Sequence, residues 1–255
     1  MLTAIIRHVS PSINNCELSF HERQHIDLPK AIAQHRAYQQ CLDELGLRIV
    51  SLPAEPDLPD SVFVEDPAVV VDQIAVISHM GAASRRPEAE SLAVALSSYR
   101  ELKFLREPAT LDGGDVMRVS RTLFVGQSQR TNREAVAQLS EILRPFDHEV
   151  RPIEVTGCLH LKSACSYIGG NTVLVNRAWI DAEPLREFEL LDVPADEPNA
   201  ANALLVGDTV VLPSTFHGTR ALLEQKGVRV RTIDVSELQK AESGVTCMSL
   251  IFTTK

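Results

Sequence analysis

Apolar residues along this chain come in short paired runs. Ala68–Val71 and Ile74–Ile77 flank Asp72 and Gln73, and Val116–Val119 and Thr122–Val125 flank Ser120 and Arg121. Ala164–Ile168 and Thr172–Val175 flank Gly169, Gly170 and Asn171, and Leu204–Val206 and Thr209–Leu212 flank Gly207 and Asp208. Two β-rich runs separated by two or three turn-forming residues predict a hairpin, so four hairpins are expected. Between them the spacing of apolar positions changes to that of helices, over about 87–99, 132–143 and 216–226. Each helix leads to a single strand, as at Val228–Ile233.

The ends of the chain fit the same unit. Leu2–Arg7 predicts a strand with no hairpin partner upstream, and Met248–Phe252 a strand with none downstream. A helix is predicted over Leu28–Leu45, with Pro29 near its start and Gly46 just past its end, and then a strand over Leu47–Leu52. Pairing the first and last strands would complete a fifth unit and close a ring. Successive hairpins begin about 40–50 residues apart, the period of propeller-like repeats. No linker is evident, so residues 1–255 read as one domain; an open mixed α/β sheet is the alternative.

Composition narrows the possible partners. The chain has 255 residues, 44% hydrophobic and 23% charged, with a formal net charge of −9. That balance suits a soluble globular protein and disfavours nucleic acid or an acidic membrane surface as partner. The first residues lack the pattern of a signal peptide, and no window reads as a membrane span. Cys16, Cys41, Cys158, Cys165 and Cys247 are odd in number and irregular in spacing. That points to reduced thiols in a cytoplasm rather than to a disulfide framework. No pairing of cysteines or histidines has zinc-site spacing.

Candidate chemistry sits in the loops that lead into the hairpins. Asp112-Gly113-Gly114-Asp115 precedes the second, Gly157-Cys158-Leu159-His160 the third, and Ser243-Gly244-Val245-Thr246-Cys247 the last strand. In a ring of repeats such loops converge on one end of the axis. Asp112, His160 and Cys247 would then share a cavity as carboxylate, general acid/base and nucleophile. Asp60, Glu65 and Asp66 form an acidic cluster suited to a guanidinium. Arg85 and Arg130 offer forks suited to a carboxylate.

The segments DSVFVEDP (60–67), SRR (84–86), TLDGGDV (110–116), RTN (130–132), LHLKS (159–163) and GVTCMSL (244–250) resemble the dimethylarginine dimethylaminohydrolases. These belong to the guanidine-modifying superfamily, and the fold implied is the five-bladed α/β-propeller, or pentein. Its pseudo-fivefold repeats surround a central active site. The resemblance implies Cys247 as nucleophile, His160 as general acid/base and Asp112 as its orienting carboxylate. It places Asp66 and Glu65 at the guanidinium, with Leu18, Asp60, Arg85, Arg130 and the backbone of Ala241 completing the pocket. Leu18 lies in a loop, Ser12–Ile26, that would act as a lid. Ser78-His79-Met80-Gly81 departs from the Thr-Arg-Pro-Gly common in the family.

The activity implied is a cysteine-dependent hydrolysis of methylated arginine to citrulline and an amine through a thiouronium intermediate. It would need no metal or organic cofactor, and a monomer or homodimer would suffice. Three rivals differ in chemistry. One is an arginine deiminase, or a hydrolase of another substituted guanidine, on the same fold. The others are a non-catalytic ligand-binding ring and a metal-dependent hydrolase using Asp112, Asp115 and His160.

Overall fold

The computed structural model describes residues 1–254. Fifteen strands form five three-stranded sheets. In chain order they are β1 (Leu2–Arg7), β2 (Arg48–Leu52), β3 (Ala68–Val70), β4 (Ile74–Ile77), β5 (Glu101–Phe104), β6 (Val116–Val119), β7 (Thr122–Gln127) and β8 (Glu149–Glu154). There follow β9 (Cys165–Gly169), β10 (Thr172–Val175), β11 (Glu189–Asp192), β12 (Leu204–Val206), β13 (Thr209–Pro213), β14 (Arg229–Ile233) and β15 (Leu250–Thr253).

Every sheet repeats one plan: an antiparallel pair whose second strand is also paired in parallel with a third. The sets are β3-β4-β5, β6-β7-β8, β9-β10-β11 and β12-β13-β14. Parallel neighbours need a crossover connection. Helices α1 (Leu28–Glu44), α2 (Glu88–Ser97) and α3 (Arg133–Leu143) supply three of these. The short turn α4 (Leu161–Ala164) lies ahead of β9, and α5 (His217–Gln225) makes the crossover of the β12-β13-β14 sheet. The β10-to-β11 connection holds only a 3₁₀ turn, Glu183–Leu185. A last turn, α6 (Ser236–Gln239), follows β14. The fifth sheet joins the two ends of the chain: β15 pairs antiparallel with β1, Leu2 opposite Thr253 through Ile5 opposite Leu250, and β1 pairs in parallel with β2.

Side chains along a strand alternate between faces, and here each face of a middle strand serves a different core. Ala4 and Ile6 of β1 pack with α1, whereas Ile5 packs with Ala75, Ile77 and Leu92 of the next unit. Ile74 and Val76 of β4 join Leu123 and Val125 of β7. Phe124 of β7 joins Val173 and Val175 of β10, Leu174 joins Val210 and Leu212 of β13, and Val211 returns to the α1 core. Neighbouring sheets thus share each core, and the array closes on itself. Burial on both faces explains why these strands read as continuous apolar runs rather than as alternating ones.

Strand limits differ from the sequence prediction at two functional places. Ala164 ends a helical turn and β9 starts at Cys165, while β15 starts at Leu250 rather than Met248. Cys247 therefore lies on a turn ahead of the strand, where the backbone is free of ladder geometry. From α1, the Tyr38 hydroxyl reaches the carbonyl oxygen of Val245 at 2.7 Å and lies 2.7 Å from the Ser249 hydroxyl. The helix therefore braces the cysteine turn from below.

Phe252 of β15 is buried and meets Tyr99 edge to face at 5.4 Å between ring centres. Phe252→Ala is expected to destabilise the fold by about 3–5 kcal/mol, measured by urea denaturation.

Candidate active site

The loops preceding β3, β9 and β15 and the segments following β4 and β7 open on one cavity. Its walls include Asp60, Asp66, Arg85, Arg130, His160, Ala241 and Cys247, residues up to 187 positions apart in sequence (247 less 60). Asp112 stands behind the histidine rather than on the wall. It is fully buried, and its Oδ2 lies 3.1 Å from His160 Nε2. The Asp112 carboxylate also accepts the Gly81 N–H at 2.9 Å, and its own N–H donates to Thr131 Oγ1 at 3.1 Å. The other ring nitrogen, Nδ1, is 3.9 Å from Asp66 Oδ1. That approach requires Gly114, because a Cβ there would lie 2.5 Å from His160 Nδ1 and 2.7 Å from Asp66 Oδ1.

These contacts set the charges. Burial opposes the imidazolium, but Asp66, the hydrogen bond to Asp112, and the charges of Asp115 and Asp112 outweigh it, pushing His160 up to about 9. Burial likewise opposes ionised Asp66. His160, Arg85 and the Gly114 N–H hold it below the usual carboxylate range nonetheless. The Cys247 thiol is pushed up to about 12 by burial and by Glu65 and Asp66, against the pull of the Gly244 N–H 3.4 Å from its sulfur. At neutral pH the cavity wall therefore carries a neutral thiol at Cys247 and an imidazolium at His160. A cation bound at Asp66 reverses the field at the sulfur and favours thiolate.

The two arginines are not equivalent. Arg85 is buried and held by Glu88 through two hydrogen bonds of 3.0 and 2.9 Å, and its third nitrogen donates to Asp66 at 2.8 Å. Arg130 donates to Ser19 Oγ at 3.2 Å, and its Nη1 is buried without a hydrogen-bond partner. An unpartnered guanidinium nitrogen calls for an acceptor.

Glu65 and Leu18 do not line the cavity. The Glu65 carboxylate pairs with Lys162 Nζ and accepts the Thr246 hydroxyl at 2.8 Å. Leu18 packs against the same core as Cys247. The adjacent Glu17 does reach the wall, its N–H donating to Asp60 Oδ2 at 3.0 Å and its carboxylate accepting from Ser84. Phe63, Leu159, Glu242 and Ser243 also line the site and were missed by sequence reasoning. Glu242 has a left-handed backbone (φ 56°), and its carboxylate accepts the N–H groups of Ser19, Phe20 and His21. It latches the 16–26 loop over the cavity. Its position five residues before the cysteine was the only sequence signal.

Asp115 is fully buried, with its oxygens accepting from Ser128, Thr131 and the N–H of Leu161 at 2.7, 2.7 and 2.8 Å. Among the described residues no group of three or more His, Cys, Asp or Glu side chains is arranged to hold a metal ion. No helix among them is long and apolar enough to cross a membrane.

The family described as N,N dimethylarginine dimethylhydrolase, eukaryotic, matches residues 5–193. This chain belongs to the dimethylarginine dimethylaminohydrolase family. The N(G),N(G)-dimethylarginine dimethylaminohydrolase of Pseudomonas aeruginosa is 33% identical over 228 residues, covering 89% of this chain and 90% of the relative. Its counterpart in Streptomyces coelicolor is 34% identical over 248 residues, covering 97% and 95%. A cysteine-to-serine mutant of the P. aeruginosa protein, solved with citrulline, superposes with a TM-score of 0.94 at 32% identity over 99% of this chain and 100% of its own. The N-terminal domain of a cyanobacterial arginine dihydrolase shares the fold, with a TM-score of 0.86 at 17% identity over 100% and 99%. This family member is a five-bladed α/β-propeller, a pentein.

The raised His160 gives a signed prediction. A group whose folded pKa lies above its unfolded value of 6.5 adds stability that is complete below 6.5 and lost as pH rises through about 9. Wild-type protein is expected to lose stability relative to His160→Gln across that window, measured by chemical denaturation at each pH.

Proposed function

We propose that the chain acts as one catalytic domain over residues 1–255, hydrolysing N-ω-methylated arginine to citrulline and the corresponding methylamine. The observation that carries this reading is the imidazolium of His160, held between Asp112 and Asp66 on a cavity that Cys247 also faces. The relatives solved with citrulline, and as an adduct with S-methyl-L-thiocitrulline after a histidine-to-glycine change, support it.

The guanidinium binds against Asp66, which is ionised and presented by Arg85. The Cys247 thiol loses its proton to solvent as the cation binds, and the thiolate adds to the guanidinium carbon, giving a neutral tetrahedral adduct. His160 donates its proton to the departing amine as the C–N bond breaks, leaving a cationic thiouronium on sulfur. Neutral His160 then takes a proton from water, and the oxygen adds to the same carbon. Collapse breaks the C–S bond, the hydroxyl oxygen gives up its proton to become the ureido carbonyl, and the thiolate takes up a proton, restoring the neutral thiol and the imidazolium. Asp112 keeps the ring oriented and stabilises its charged form.

At the far end, Arg130 and the remaining N–H of Arg85 meet the substrate carboxylate, and Asp60 and Glu17 meet its ammonium. The backbone of Ala241 and the loop bearing Leu18 close around the chain between the two ends. Glu65 acts from behind, holding Lys162 and Thr246 at the base of the site. No cofactor takes part, and the setting is a monomer or homodimer in the cytoplasm.

Product analysis tests the reading. With dimethylarginine, dimethylamine and citrulline are expected in equal amounts. Arginine as substrate should give little ammonia, and ammonia from arginine as the dominant activity would instead make the protein a deiminase. Cys247→Ser is expected to remove turnover by at least about 10³-fold while leaving the melting temperature near wild type. Asp66→Asn should raise KM by about tenfold or more, and an unchanged KM would place the guanidinium elsewhere.

A further inference from the structure

Four of the five loops that lead into the sheets provide a group used in the reaction: Asp66, Asp112, His160 and Cys247. The fifth, ahead of β12, has no assigned part. It carries Asn202, which is 6% exposed and lies outside the walls of the reaction cavity. Its amide is fully committed in a different direction. Nδ2 donates to the carbonyl oxygen of Lys162 at 2.9 Å and to Thr246 Oγ1 at 3.0 Å, and Oδ1 accepts the Thr246 N–H at 3.2 Å. The partners fix which way the amide faces, since a carbonyl only accepts and an N–H only donates.

Those partners belong to the two loops whose separation matters most. Lys162 is two residues beyond His160, and Thr246 immediately precedes Cys247. The link is doubled: Thr246 Oγ1 donates on to Glu65, whose other oxygen pairs with the Lys162 ammonium. Asn202 also shapes the turn around the sulfur. A Cβ at Gly244 would lie 2.1 Å from Asn202 Oδ1, and it is the Gly244 N–H that points at Cys247 Sγ.

We propose that Asn202 is a positioning residue for the hydrolysis, its amide clamping the His160 loop to the Cys247 turn and so setting the thiol against the imidazole. The inference rests on Cys247 and His160 being the reacting pair. An aspartate in its place fits the space but presents only acceptors to the Lys162 carbonyl. Alanine leaves the Lys162 carbonyl and the Thr246 N–H without partners.

The test compares Asn202→Ala, Asn202→Asp, Gly244→Ala and the Asn202→Ala/Gly244→Ala pair by steady-state kinetics on dimethylarginine and by melting temperature. A misplacement of about 1 Å lowers turnover on the order of a hundredfold. Both Asn202 variants should therefore lose about 10- to 100-fold in kcat with KM within about threefold, while melting lower than wild type but remaining folded at the assay temperature. Gly244→Ala should lose as much, and the double variant no more than Gly244→Ala alone, because the two changes disturb one contact. A kcat within about twofold of wild type, a loss fully accounted for by the unfolded fraction at the assay temperature, or losses that multiply in the double variant would overturn the proposal.

Alkylation of Cys247 by iodoacetamide provides a readout independent of turnover. Its pH midpoint should move in Asn202→Ala, and an identical midpoint counts against the clamp. Wild-type protein inactive on every guanidine would instead reject the proposed function.

Discussion

Each middle strand of this fold is buried on both faces, and its alternate side chains belong to two different cores. That constraint leaves no free face at which the array can stop. The α1 core contains Ala4 and Ile6 from the start of the chain with Val211 and Met248 from near its end, so it forms only when the ends meet. The pairing of β1 with β15 meets that need. Closure then brings five connecting loops together at one end of the ring. The polar residues on those loops, widely separated in sequence, become neighbours there.

Convergence explains the chemistry more fully than any single residue does. Three buried aspartates, Asp66, Asp112 and Asp115, act on the imidazole of His160 and outweigh the penalty of burying its charge. Burial, with Glu65 and Asp66, keeps the Cys247 thiol protonated. Both groups are raised, and Asp66 acts on each, which leaves the imidazole charged and the thiol neutral at neutral pH. In the proposed reaction a guanidinium beside Asp66 would supply positive charge near the sulfur, coupling its activation to substrate binding. Arg85 and Glu88 form the buried ion pair that aims Asp66, and the Glu242 latch closes the top of the cavity.

The middle strands and hairpin turns were legible in sequence because burial on both faces writes itself as apolar runs. The outer strands β5 and β8 were expected only as a strand after each helix, without limits, and β11 was not expected. Glu101-Leu102-Lys103-Phe104 and its equivalents lie at the rim, with charged and half-exposed positions and no clean alternation. Likewise, Cys247, His160 and Asp112 could be singled out because a thiol, an imidazole and a carboxylate occur in equivalent loops. Glu17, Glu88, Glu242 and Asn202 read as ordinary loop or helix polar residues. Glu88 serves Arg85 three positions away, whereas the others depend on partners tens to hundreds of positions away, such as Ser19 for Glu242 or Lys162 for Asn202. Glu65 shows the reverse limit: its place beside Asp66 in sequence puts its side chain on the other face of the chain, toward Lys162.

The central claim is a bond between the sulfur of Cys247 and the carbon of a guanidine. Intact-mass spectrometry of protein quenched in acid during its first turnover of dimethylarginine, followed by peptide mapping, measures that bond directly. The expected result is a transient mass increase equal to the substrate less dimethylamine, confined to the peptide containing Cys247. Turnover that proceeds with no adduct at any quench time, or with the added mass on another residue, would contradict it.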